Sequence, residues 1–100
     1  MRLEITPTDE GFRLEGELDM ATADDLSQLL RAAAADGGPV LLDLSGISFM
    51  DSSGLRVLLE AAELMRGSGS LVIVHPSAQV RRLFEISIPG GTPGLEVRPG

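Results

Sequence analysis

Two short apolar runs, Val40-Leu41-Leu42-Asp43-Leu44 and Leu71-Val72-Ile73-Val74, bracket a segment whose hydrophobic residues recur at helical spacing. That alternation restricts the fold more than any other feature. A strand, a helix and a second strand joined by short connections call for a right-handed crossover and parallel pairing. Each run reads as a strand with both faces covered. Between them Leu55, Leu58, Leu59, Ala62 and Met65 form the stripe of a helix opening near Asp51. Gly67-Ser68-Gly69-Ser70 breaks it.

Upstream the period changes to two. Leu3 and Ile5 alternate with Arg2, Glu4 and Thr6, and after the turn formers Pro7-Thr8-Asp9-Glu10-Gly11 the residues Phe12, Leu14, Gly16 and Leu18 alternate with Arg13, Glu15 and Glu17. This is the pattern of an antiparallel hairpin. A helix follows, with Thr22 as N-cap, Asp25 three positions on as a capping-box variant, and Asp24 and Asp25 at the positive end of the dipole. Leu26, Leu29, Leu30 and Ala33 are its apolar stripe, and Asp36-Gly37-Gly38-Pro39 stops it. Ser77 caps a third helix with Val80, Leu83 and Phe84 inward, and Leu95-Glu96-Val97 forms a short edge strand stopped by Pro99. The expected fold is a single α/β domain over residues 1–100. Its small mixed sheet has an antiparallel N-terminal hairpin and parallel central strands, packed with about three helices.

Composition closes several function classes. The net charge is −7 and the acidic residues are scattered, so a phosphate backbone is repelled and nucleic acid is not an expected partner. All eight basic residues are arginine. Without lysine there is no Walker-type phosphate loop and no Schiff base. Without cysteine there is neither a disulfide framework nor a thiolate metal site. No apolar run approaches the roughly 20 residues that span a bilayer, and Met1-Arg2-Leu3-Glu4-Ile5 lacks the layout of a secretory signal. The expectation is a cytoplasmic protein with no membrane partner, no metal and no cofactor.

The strongest local signal is Met50-Asp51-Ser52-Ser53-Gly54-Leu55. Asp51 is a good N-cap, and Ser52 and Ser53 take the first helical positions, where amides are unsatisfied and the dipole is positive. A phosphate there is locally tolerated. Gly54 near a helix start costs about 1 kcal/mol relative to alanine, which points to close approach by another backbone or a partner. His75, the one histidine, makes a poor metal site by itself. A triad of Ser53, His75 and Asp51 would lack the Gly-x-Ser-x-Gly elbow. No catalytic residue is assigned, and the chain reads as a non-enzyme.

The segment Leu42-Asp43-Leu44-Ser45-Gly46-Ile47-Ser48-Phe49-Met50-Asp51-Ser52-Ser53-Gly54-Leu55 resembles the signature of STAS domains, specifically of bacterial anti-sigma factor antagonists. Gly16-Glu17-Leu18-Asp19, followed by Ala21-Thr22, resembles the same family's motif between its second strand and first helix. The element order also fits, so the resemblance covers essentially the whole chain. It implies a transcription regulator that binds, unphosphorylated, an anti-sigma factor with serine kinase activity and thereby frees the sigma factor. Phosphorylation of the second serine of the Asp-Ser-Ser-Gly string, here Ser53, ends the binding, and a metal-dependent serine phosphatase resets it. Asp19, Asp51, Ser52, Ser53 and Gly54 are then the partner-binding residues. Asp51 also reads as a plain N-cap, and Asp19 equally as a turn-forming loop residue. The alternatives are a STAS-type accessory subunit of a transport ATPase and a small serine hydrolase using Ser53. A receiver-like domain with Asp43 at a strand's end fails for want of lysine.

Overall fold

Alternating side chains set up the first two strands. β1 (Leu3–Pro7) and β2 (Gly11–Leu18) pair antiparallel, with Leu3 opposite Gly16 and Ile5 opposite Leu14, and Thr8 N–H donates to Gly11 O at 2.9 Å to close the hairpin turn. The computed structural model describes residues 3–67 and 69–98; Arg2, Ser68 and Pro99, invoked above for an alternation, a break and a strand stop, lie outside them. The chain continues through α1 (Ala23–Ala35), β3 (Val40–Met50), α2 (Ser52–Met65), β4 (Leu71–Val74), α3 (Ala78–Ser87) and β5 (Leu95–Val97).

The five strands lie in sequence order, and every pair after the hairpin is parallel. Right-handed crossovers between strands added in that order send each helix to the same face. The buried residues agree. Leu26 and Leu30 of α1, Leu55 and Leu58 of α2, and Val80 and Phe84 of α3 join Leu14, Leu42 and Ile73 of the sheet in one cluster. The opposite face carries Leu41, Asp43 and Val74, all half-buried, with Val72 buried between Leu41 and Glu96. Full cover on both faces, expected from the apolar run at Val40–Leu44, is therefore replaced by helices on one side. A sheet whose strand order never reverses has no crossover to the other.

β3 also runs past the expected end at Leu44. The added residues, Ser45 to Met50, open on Ser45-Gly46, which interrupts the apolar run, and they are recruited by β2. Ser48 Oγ donates to Gly16 O at 3.1 Å, and the ladder continues through two irregularities to pair Leu18 with Met50. Capping departs from expectation at one helix only. Ser77 Oγ accepts from Val80 N–H at 3.2 Å as read, whereas Thr22 makes no capping bond to α1. Its buried hydroxyl donates to Glu17 O at 2.9 Å and accepts from Asp19 N–H at 3.1 Å. Closing the loop takes precedence over capping the helix.

Candidate functional site

Parallel pairing of β2 and β3 sets their carboxyl ends side by side. Asp51 N–H donates to Leu18 O at 3.2 Å, so the loop that leaves β2 and the turn that leaves β3 start from one point. The distant segments containing Asp19 and Asp51 thus meet at the same end of the sheet.

Asp51 caps α2 in the expected way. Its Oδ1 accepts from Ser53 N–H at 2.9 Å and from Gly54 N–H at 3.3 Å. We expect Asp51→Ala to lose about 0.5–2 kcal/mol of stability and Asp51→Asn, which keeps an acceptor, to lose far less. Urea denaturation of the two variants checks this; equal midpoints for both and the parent would show that the carboxylate does not hold the turn.

Gly54 is buried because α2 begins against β2. A Cβ at this position would stand 2.7 Å from Leu18 O and 2.6 Å from Leu18 Cγ. The close approach suspected from the sequence is made by the protein's own backbone.

The two serines differ. Ser52 is exposed on the outer side of the first turn, while Ser53 is half-buried and lines a groove of about 360 Å³ between α1 and α2. Among the described residues neither hydroxyl has a hydrogen-bond partner, so both are chemically available. On the α1 side the groove is lined by Met20, Asp24 and Ser27, and on the α2 side by Arg56 and Glu60 beyond Ser53. Met20 is 80% exposed beside this opening.

Asp19 reaches the same end of the molecule but uses its carboxylate locally. Oδ1 accepts from Ala21 N–H at 2.9 Å, shaping the loop, and among the described residues no hydrogen bond joins Asp19 to Ser53. Sequence reasoning missed Met20, Asp24, Arg56 and Glu60. The signal for Arg56 was present, since residues three apart on a helix are neighbours; the α1 residues depend on how two helices pack.

Asp43 lies within β3, not at its end. Burial pushes its carboxyl up, but the Ser45 N–H (2.9 Å) and hydroxyl, with His75 and Arg13 nearby, outweigh that and hold it below the ordinary carboxylate range. Val74 pairs with Asp43, so β4 stops short of the Asp51–Ser53 turn and leaves His75 beside Asp43 in a left-handed conformation (φ +55°). Among the described residues no group of three or more potential ligands is arranged to hold a metal, and no helix is long and apolar enough to cross a membrane.

Comparison with known proteins adds a second line. The profile of the family described as Mlab, STAS domain matches residues 1–88. Over 79 residues the chain is 35% identical to the anti-sigma F factor antagonist of Lysinibacillus sphaericus, covering 76% of this chain and 68% of that protein. An anti-sigma factor antagonist from Mycobacterium paratuberculosis has a similar structure, with TM-score 0.78 and 27% identity over 94% of this chain and 83% of that one. The phosphorylated form of the Bacillus cell fate determinant SpoIIAA shares the fold at TM-score 0.67, with 22% identity over 97% of this chain and 91% of that one.

Proposed function

The chain belongs to the STAS-domain family of anti-sigma factor antagonists, and from that premise we propose that it is a phosphorylation-controlled antagonist. Unphosphorylated, it binds an anti-sigma factor that is also a serine kinase, and the sigma factor is released. Phosphate on Ser53 ends the binding, and a serine phosphatase restores it. Asp19, Asp51, Ser52, Ser53 and Gly54 form the centre of the contact surface. The domain contributes a surface, and the chemistry belongs to its partners.

The observation that carries this reading is the position of Ser53. Among the described residues its hydroxyl is unengaged, it lines the α1–α2 groove, and the Asp19 loop adjoins it. Its backbone is fixed by Asp51, so modification of the side chain breaks no hydrogen bond of the fold. Phosphorylation adds roughly −1.5 to −2 charges, which must be desolvated if the surface is to be covered. Coupling of ~1–3 kcal/mol changes affinity about 5- to 150-fold. That range suffices for a switch. SpoIIAA, a protein of the same fold, exists in a phosphorylated form, which supports the reading.

The test combines mapping and capture. The protein is incubated with ATP and candidate partner kinases, any phosphate is located by mass spectrometry, and pull-downs are repeated with both forms. Phosphate is expected on Ser53, with binding weakened at least fivefold. Ser53→Ala should bind constitutively, and Ser52→Ala should disturb phosphorylation less. Phosphate on Ser52, or a complex indifferent to phosphate, would refute the switch. Indifference would favour an accessory subunit, and ester hydrolysis lost in Ser53→Ala would favour the hydrolase.

A further inference from the structure

A phosphate on Ser53 needs a counter-charge, and the start of α2 supplies little. Ser53 N–H and Gly54 N–H already donate to Asp51 Oδ1. The amides that make a helix start attractive to an anion are therefore largely occupied. Their occupant is itself a carboxylate. The other acidic groups around this position are Asp24 from α1, Glu60 from α2 and Asp19 in the adjoining loop, and all repel a second anion.

One cation remains. Arg56 lies three residues after Ser53 on α2, where side chains stand about 5–6 Å apart at Cβ, and both line the groove. Arg13, Arg66 and Arg98 are engaged with Glu15, Glu63 and Glu96. Among the described residues no ion pair or side-chain hydrogen bond holds Arg56, which is exposed. A guanidinium presents a planar fork of donors that matches phosphate oxygens. Its reach across a single turn demands no backbone movement.

We propose that Arg56 is the internal counter-ion of phosphorylated Ser53, gripping the phosphate at the mouth of the α1–α2 groove. Modification then does two things at once: it adds an anion, and it withdraws the groove's one cation from the face offered to the partner. The proposal deepens the reading of Ser53 as the phosphoacceptor and rests on it. It names the group on this chain that receives the charge.

The experiment installs phosphoserine at position 53 by genetic encoding, so that no kinase is required. Phosphorus NMR then follows the second ionisation of the phosphate in the parent, Arg56→Gln and Arg56→Lys proteins. A neighbouring cation favours the dianion, so the parent is expected to titrate at least about half a unit below Arg56→Gln. That figure is modest because Arg56 is exposed and solvent screens the pair. Arg56→Lys keeps the charge and should fall between them. Coincident titrations of the parent and Arg56→Gln, or a lysine variant no different from the glutamine one, overturn the proposal. Failure of the switch itself shows elsewhere, as partner binding that ignores the phosphate while the titrations stay apart.

Discussion

Replacing Leu58 by alanine is expected to destabilise the protein by about 2–5 kcal/mol, seen as a lower urea midpoint with an unchanged slope. Leu58 is 0% exposed at the middle of α2 and belongs to the cluster that joins all three helices to the sheet. Truncation removes its transfer free energy and leaves a cavity that its neighbours fill only in part. Leu64, on the same helix but 51% exposed, is the internal control. Leu64→Ala makes the same chemical change with the same helix propensity, and its effect should stay within about 0.5 kcal/mol. A protein of this size has roughly 5–15 kcal/mol in total, so Leu58→Ala should consume a large fraction of it. Similar small losses for both variants would mean that the α2 stripe is not the core.

Burial explains which parts of this fold could be read in advance. A side chain that must face a core enforces its period on the sequence, so the stripe from Leu55 to Met65 and the alternation from Phe12 to Leu18 are legible without coordinates. Local hydrogen bonding is legible for a similar reason, because Asp51 and the amides it caps are separated by two and three residues. What depends on a distant neighbour is hidden. Ser45 to Met50 become strand only because β2 runs beside them. The Thr22 hydroxyl could cap α1 or close the preceding loop, and nothing in Thr22-x-x-Asp25 says which. An apolar run such as Val40–Leu44 does not record that its second face lacks helices, since that follows from the order in which later strands are added. The site divides along the same line. The Asp-Ser-Ser-Gly turn is a local signal, whereas the groove that distinguishes Ser53 from Ser52 exists only once α1 and α2 are packed together.

Gly54→Ala should destabilise the protein by about 1–3 kcal/mol, although alanine is favoured over glycine in a helix by about 1 kcal/mol. Propensity and packing have opposite signs here, and the geometry decides between them. The new methyl would meet Leu18 O at 2.7 Å and Leu18 Cγ at 2.6 Å. Leu18 is itself fully buried, and its carbonyl accepts from Asp51 N–H, so it cannot retreat without surrendering that bond. The less costly relaxation is for the first turn of α2 to lift from β2. Such a movement would displace Asp51 and Ser53 together, so Gly54→Ala should also slow phosphorylation of Ser53, whereas a surface change of equal stability cost should not. A thermal melt and a phosphorylation time course, each compared with a surface variant of matched stability loss remote from the turn, separate lost stability from lost geometry. A Gly54→Ala protein more stable than the parent would show that the turn has room for a methyl group, and the seating of α2 on Leu18 would then no longer account for the glycine.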